Sequence, residues 1–501
     1  MCGFVGIISR HDCSADIVLA LQALQHRGQD SAGVGTIHEN DFPVARRLGL
    51  VSQGFGPDEI ETLPGQIGIG HVRYPTIGSG SLRDAQPFWY RQPGVLMAHN
   101  GNFINIPKMN QTLEDQSVHL MSRCDVEPVL CIFALELMRR RNNSHTTEDA
   151  IAALEATFSQ AVGAYSLVVA LILDGEETLL AARDPLGIRP AVWGQSDNCT
   201  VVASESVALD ALDVKLVGDV APGEVMVFKT GHEPKRFQLK TYGSTPCIFE
   251  YIYFARPDSF HNGKSVYSVR LNLGRELARA WQAKNLDADV VIPIPDTSRP
   301  SAGALAEELR LPYREGFIKN RYTGRTFIMP NACERNNALK LKLNPIRSEF
   351  AGRRVLLVDD SIVRGTTLKR TIQIIRDQGA KEIHLAIHSP PVIFPCYYGI
   401  DMSTQEELAA AAFLPPCEDG TNGLAGSRPT LEMQAHVENG LARRLSLDSL
   451  TYLPLAGLVK AFPETCCSAC FDGEYPLKLS DQEKTWIEKD RRTCVQRELV
   501  L

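Results

Sequence analysis

The sequence predicts a chain of mixed class, α+β in its N-terminal half and α/β with a mainly parallel sheet in its C-terminal half. Two stretches carry this expectation. In the C-terminal half, Val355-Leu356-Leu357-Val358 is a short apolar run with the β-branched content of a buried strand. Leu368, Ile372 and Ile375 then recur at helical spacing, Gly379 stands where that helix stops, and Glu382 to Ile387 reads as a second strand. Strand, helix and strand in that order form a βαβ unit, whose strands run parallel. In the N-terminal half, Ser166 to Leu173, SLVVALIL, is another buried strand.

Composition narrows the class further. The chain has 501 residues, enough for roughly two to four domains. Hydrophobic residues make up 44% and charged residues 22%, the balance of a soluble globular protein. A net charge of −7 argues against general binding to nucleic acid or a membrane surface. No apolar stretch is long enough to span a bilayer. The start, MCGFVGIISRHDC, lacks the basic lead and long apolar core of a secretory signal. A cytoplasmic location follows. The 13 cysteines are then expected as buried hydrophobes, ligands or nucleophiles rather than as disulfides.

Cys2 is followed by glycine, and its small side chain favours removal of Met1. That would leave Cys2 with a free α-amine beside its own thiol. An α-amine has a pKa of about 8, so the nucleophile carries its own base and needs no separate histidine. Taken alone, the start reads better as a small residue in a buried strand. Three further segments bear on it. Gln25 to Gly33, QHRGQDSAG, is a polar, glycine-rich turn. His71 to Gly78, HVRYPTIG, ends a strand rich in glycine and isoleucine. Ala98 to Asn102, AHNGN, is a second tight turn after an apolar strand. Together with MCGFVGI, in this order, they resemble the class II glutamine amidotransferases of the N-terminal-nucleophile (Ntn) type.

The resemblance implies an αββα Ntn-hydrolase sandwich that hydrolyses glutamine. Cys2 would attack the carboxamide while its α-amine moves the proton. The Asn100 side chain and the Gly101 N–H would form the oxyanion hole. Glutamine also presents a carboxylate and an ammonium group. Arg73 is the candidate for the carboxylate, through its planar fork, and Asp125 for the ammonium. The family usually shows Ser-Asp-Ser/Thr-Glu here, whereas this chain reads Cys124-Asp125-Val126-Glu127. The acids keep their spacing and the hydroxyls are replaced. His26, His71 and His99 are expected as structural hydrogen-bonders. Segments Ala182 to Pro190, Val201 to Ser206 and Ala221 to Glu224 read as turns at strand ends of the same domain. This domain is expected over residues 2–240, with the boundary in the polar segment 232–245.

Cys247 to Ser259, CIFEYIYFARPDS, reads as a core strand and loop opening the second domain, expected over residues 247–476. Val290 to Ser298 is a strand ending in a loop with small hydroxyls, Thr297 among them. Such a loop reads equally as a helix cap or as a ligand loop. The paired Asp359 and Asp360 close the next strand. Ser361, Gly365, Thr366 and Thr367 follow, and they suit backbone N–H groups approaching an anion at a helix N-terminus. The two carboxylates can hold ribose hydroxyls or a magnesium ion paired with pyrophosphate.

The run RVLLVDDSIVRGTTL resembles the phosphoribosyl pyrophosphate (PRPP) signature of the type I phosphoribosyltransferases. The resemblance implies that Asp359 and Asp360 contact the ribose hydroxyls, directly or through one Mg²⁺ per subunit, with Thr297 beside the metal. Ser361, Val363, Arg364, Gly365, Thr366 and Thr367 would cradle the 5-phosphate. Lys319 to Lys342 is basic and glycine-broken. A charge run of this kind is usually solvated surface, but the family uses the segment as a lid. This chain carries Asn336-Asn337-Ala338-Leu339-Lys340-Leu341-Lys342 where relatives commonly have a more basic run.

Cys467-Ser468-Ala469-Cys470 is a C-x-x-C, which alone reads as a zinc pair, a redox pair or chance. Resemblance to the enzymes that fuse these two domains adds Cys247 and Cys396, and implies a [4Fe–4S] cluster held by Cys247, Cys396, Cys467 and Cys470. By ligand count zinc serves equally. Cys466 is an adjacent spare. Pro415 to Pro429 reads as an irregular loop, and residues 477–501 as a charged C-terminal tail or solvent-exposed helix.

The two halves together imply that ammonia made at Cys2 is channelled to PRPP. There it displaces pyrophosphate to give 5-phosphoribosylamine, the first committed step of purine (IMP) synthesis. The small-molecule substrates are then glutamine and PRPP, and the resemblance further implies purine nucleotides as feedback inhibitors and a homotetramer as the assembly. A different acceptor, as in hexosamine-phosphate synthesis, is disfavoured by the PRPP loop. A nucleotide-sensing regulator with a dead glutaminase half is disfavoured by the intact Cys2, Arg73, Asn100 and Asp125.

Overall fold

The central strands of the N-terminal half are buried on both faces because both faces are covered. A computed structural model describes residues 2–74, 80–140, 144–319, 343–402, 404–414 and 428–498, with backbone only for 492–498. Gly3–Ser9 is the central strand of a seven-stranded antiparallel sheet, between Cys199–Ala203 and Ile67–Arg73. A six-stranded antiparallel sheet, built around Val95–Phe103 and Gly163–Leu173, stacks on it. Alternation sorts the side chains. Phe4 and Ile8 meet Val168 and Ala170 between the sheets. Val5 and Ile7 point the other way, into a cluster with Ile17 and Leu21 of helix Ser14–Ala23. Leu167, Val169 and Leu171 pack with Val129 and Leu130 of helix Val126–Arg139 and Leu154 of helix Thr147–Gln160. The result is the αββα sandwich.

Three expectations change. Ala98 to Asn102 is not a turn but part of strand Val95–Phe103, because Gly163–Leu173 pairs with it residue for residue through Phe103. The polar segment 232–245 contains strand Lys235–Gln238, which completes the edge of the second sheet beside Glu224–Lys229. Cys247 to Ser259 does not form a core strand. Glu250–Phe254 is a π-helical turn. Arg270, fully buried, donates to the carbonyls of Tyr251, Tyr253 and Ala255. Those acceptors are thereby satisfied by a side chain and need no neighbouring strand.

Beyond this turn a four-stranded, wholly parallel sheet forms in the order Val290–Pro293, Arg354–Asp359, Glu382–Ile387, Ser449–Tyr452. Helices Val266–Gln282, Arg299–Leu309, Thr366–Asp377 and Leu431–Leu445 accompany it. Parallel strands all end at one edge, where open sheets of this kind bind their ligands. The two halves share one apolar cluster, in which Ile104, Ala164, Leu186 and Ile188 of the sandwich pack with Cys247, Ile248 and Phe249.

The C-terminal stretch forms helix Asp481–Glu498. It is less exposed than its charge suggests: Ile487 and Arg491 are buried, and Arg491 donates to the carbonyls of Cys396 and Met402. Tyr397 donates to Glu488, and Arg123 of the sandwich pairs with Asp490. The helix thereby holds the chain around 396–402, which presses on the first domain. Asn102 donates to the Tyr397 carbonyl, and Gly399 sits directly on Gly101. Residues 320–342 of the basic stretch, Pro75 to Gly78 and 415–427 lie outside the described residues. No described helix is long and apolar enough to cross a membrane.

A Cβ on Gly399 would stand 3.0 Å from the Gly101 carbonyl, and the backbone there has φ +105°. Gly399→Ala is expected to destabilise the fold by about 1–2 kcal/mol, seen as a lower denaturant midpoint. It is also expected to reduce glutamine-driven turnover more than ammonia-driven turnover.

Candidate active sites

Cys2 precedes the central strand and is buried at the edge of the sandwich. Its backbone N lies 3.4 Å from Asn100 Oδ1, and its thiol donates to the Tyr74 carbonyl at 3.5 Å. Its own carbonyl accepts from Arg27 Nε at 2.9 Å. Arg27 is fully buried and pairs with both Glu205 and Glu250. Asn100 is likewise buried, and its amide Nδ2 has no hydrogen-bond partner among the described residues. A buried, unspent donor beside a nucleophile suits an oxygen that becomes negative only during reaction. Gly101 follows with φ +149°, and a Cβ there would stand 2.1 Å from the Ala164 carbonyl. Only glycine permits this backbone so close to the neighbouring strand.

Arg73 and Asp125, far apart in sequence, meet around a third residue. Arg73 Nη1 donates to Cys124 Sγ at 3.0 Å, and Sγ lies 3.7 Å from Asp125 Oδ1. Burial disfavours the Arg73 charge, but the carboxylates Asp125 and Asp84 act against it and the guanidinium stays protonated. Burial likewise pushes the Asp125 carboxyl up. His99, Arg73 and the Phe103 N–H together reverse that and keep it below the usual carboxylate range. His99 Nε2 donates to Asp125 at 3.1 Å, while Gln86 accepts from the His99 backbone at 2.8 Å and its amide meets Nδ1. His71 donates Nε2–H to the His99 carbonyl, and burial holds it neutral. His26 pairs with Glu205. The three histidines thus make structural hydrogen bonds. Cys124, Gln86 and the Arg27–Glu205–Glu250 group were missed as parts of the site. Cys124 carried a sequence signal as the residue replacing an expected hydroxyl, and Arg27, Glu205 and Glu250 lie within segments already singled out.

In the transferase half Asp359 ends its strand, and Asp360 N donates back to Asp359 Oδ1 at 2.9 Å. Burial and the charge of Asp360 raise the Asp359 carboxyl, and burial pushes Asp360 up to about 6 against the pull of Ser361 and Arg270. Two carboxyls so placed call for positive charge. Being hard oxygen donors, they suit Mg²⁺. Ile294 N donates to the Val358 carbonyl, which sets the start of the 294–298 loop, the one that carries Thr297, beside the end of the Asp359 strand. Gly365, at φ +74°, caps helix Thr366–Asp377, and Thr366 and Thr367 lie exposed at its N-terminus. Arg364 pairs with Glu407, and the Val363 carbonyl accepts from Ala409. Ser361 donates to Asp360 at 2.6 Å.

Comparison with known proteins was made against this geometry. A glutamine amidotransferase domain family matches residues 72–211, and a phosphoribosyl transferase domain family matches residues 270–388. An amidophosphoribosyltransferase of Methanothermobacter thermautotrophicus is 42% identical over 486 residues, 95% of each chain. That of Escherichia coli is 47% identical over 423 residues, 82% of this chain and 83% of the other. The chain belongs to the amidophosphoribosyltransferase family. Among solved structures, the glutamine PRPP amidotransferase of B. subtilis complexed with ADP and GMP shares 33% identity. It aligns with a TM-score of 0.80 over 96% of this chain and 98% of that one. Like the family as a whole, the chain is an enzyme with both a glutamine amidotransferase and a phosphoribosyltransferase domain.

In this member of the amidophosphoribosyltransferase family the candidate cluster cysteines converge. Cys247 and Cys467 face each other across a parallel bridge, and the Cys470 carbonyl accepts from Ile393 and Phe394, just before Cys396. All four thiols are buried. Burial raises Cys467 and Cys470, and the Cys247 and Cys396 sulfurs add to it. Among the described residues no group of three or more His, Cys, Asp or Glu stands at the spacing of a single bound ion.

Asn100→Ala removes the unspent amide. It is expected to lower kcat for glutamine hydrolysis about 10²–10³-fold, measured as glutamate release, with ammonia-driven turnover as the comparison.

Proposed function

We propose that the residues assembled here divide the family reaction between two sites. The enzyme makes 5-phosphoribosylamine from PRPP and glutamine, the opening step of purine synthesis. Residues 2–240 carry glutamine hydrolysis, and residues 247–476 carry transfer to PRPP. The buried, unpartnered amide of Asn100 beside Cys2, under a loop supplied by the transferase half, carries the reading.

At the first site the Cys2 thiol attacks the glutamine carboxamide, and its α-amine, once Met1 is removed, accepts the proton and passes it to the departing ammonia. Asn100 Nδ2 and the Gly101 N–H receive the oxyanion, and water then releases glutamate from the thioester. Arg73 holds the substrate carboxylate and Asp125 its ammonium. Ammonia stays under the 396–402 loop and reaches the second site without entering solvent. There it attacks C1 of the ribose as pyrophosphate leaves. Asp359 and Asp360 hold the ribose hydroxyls, and Ser361, Val363, Arg364, Gly365, Thr366 and Thr367 hold the 5-phosphate at the helix N-terminus. Mg²⁺, held by Asp359, Asp360 and Thr297, would neutralise charge on the leaving pyrophosphate. No side chain need act as base there: positioning and leaving-group stabilisation suffice. We further assign purine nucleotides as inhibitors, a homotetrameric assembly and a cytoplasmic location.

Cys2→Ala is expected to abolish glutamine-dependent pyrophosphate release from PRPP while keeping release driven by added ammonia. A variant that still uses glutamine would remove Cys2 from this role. The Cys247, Cys396, Cys467 and Cys470 set is assigned to a structural [4Fe–4S] cluster. Anaerobically purified enzyme is expected to be brown and to contain iron and acid-labile sulfide. Cys467→Ser is expected to lose both, and stoichiometric zinc in their place would overturn the assignment.

A further inference from the structure

Cys124 occupies the position where the related amidotransferases usually carry a hydroxyl, and its surroundings give it a task. The sulfur stands between the two charged groups of the glutamine pocket, 3.0 Å from Arg73 Nη1 and 3.7 Å from Asp125 Oδ1, and 3.6 Å from Gln86 Nε2. It is fully buried, so these contacts are not shared with solvent. Arg73 and Asp125 attract each other. Were they to close on one another, each would be spent on the other, and the zwitterion of the substrate would find neither. Burial pushes the Cys124 thiol up to about 12 despite the opposing pull of Arg73. It is therefore a neutral thiol at physiological pH, able to accept from the guanidinium and to donate S–H to the carboxylate. Thiol hydrogen bonds are weak, so the substrate's own charges displace them at little cost. The buried Asn100 amide, unpartnered among the described residues of the same site, awaits the same ligand.

We propose that Cys124 is a positioning residue for glutamine. Its sulfur spaces and orients Arg73 and Asp125 so that one receives the substrate carboxylate and the other its ammonium. This rests on the assignment of Arg73 and Asp125 to the two ends of glutamine.

The test is steady-state kinetics of the intact enzyme with glutamine and, separately, with ammonia. Cys124→Ala lets Arg73 and Asp125 close on one another, and the need to part them before substrate enters is expected to raise KM for glutamine at least about tenfold, with kcat changed much less. Cys124→Ser keeps a donor and an acceptor and is expected to restore KM to near the parent value. Ammonia-driven turnover reports that the fold survives. An unchanged glutamine KM in Cys124→Ala overturns the proposal. So does a Cys124→Ser enzyme with parental ammonia turnover and a KM raised as far as in Cys124→Ala. If Cys124→Ala loses ammonia turnover as well, the serine variant alone decides. If both lose it, the thiol serves folding and the proposal falls. Asp125→Asn separates this from the reading beneath it. If that variant leaves glutamine KM unchanged, the assignment of the pocket itself is wrong.

Discussion

The buried guanidinium of Arg27 ties the nucleophile to both halves of the enzyme. One side chain, without solvent exposure, donates to the Cys2 carbonyl and pairs with Glu205 of the sandwich and Glu250 of the transferase half. Arg189 adds a second cation to Glu250, and Glu205 also accepts from Ser259 and the Arg256 backbone. Burying such charges costs several kcal/mol per ion unless each is paired and hydrogen-bonded. Here each is. Burial lifts the Glu205 and Glu250 carboxyls, but the surrounding cations more than reverse it, holding both below the usual carboxylate range. The chain passing Glu250 turns as a short π-helix because this network, with Arg270, supplies its partners.

Around that centre the two catalytic ends face a common boundary. Cys2, the proposed nucleophile, and Asn100 and Gly101, the proposed oxyanion donors, lie on the sandwich. The loop that seals them, 396–402, comes from the transferase half and is held by the C-terminal helix through Arg491 and Glu488. Tyr74, next to Arg73, donates to Asp401 of that loop. In the proposed reaction, a loop bonded on both sides and packed glycine against glycine would keep water from the ammonia passing beneath it.

Much of this was legible in the residues. The βαβ unit from Arg354 to Ile387 was readable because strand, helix and strand each bury an unambiguous pattern, and its loop carries the acidic pair at the strand end. Cys2, Arg73, Asn100 and Asp125 were readable as a set through resemblance, and the structure brings Arg73 and Asp125 to either side of one sulfur. The misreadings share a cause. Ala98 to Asn102 looks like a turn from its polar residues, yet a partner strand distant in sequence keeps it extended. Cys247 to Ser259 looks like a strand from its aromatic content, yet side chains from Arg27, Arg189 and Arg270 decide otherwise. The charged stretch after residue 480 hides its buried face because, among its described side chains, Ile487 and Arg491 are buried and Trp486 packs beside them.

By itself the sequence determined the local elements, the order of the two domains and the residue types the chemistry requires, since these follow from periodicity, turn composition and motif. Only the tertiary structure decided which groups meet. The thiol between Arg73 and Asp125, Arg27 behind Cys2, and Gly399 against Gly101 all join residues tens to hundreds of positions apart. Such contacts depend on how buried charges and close-packed backbones are satisfied across domains, which no local window of residues encodes.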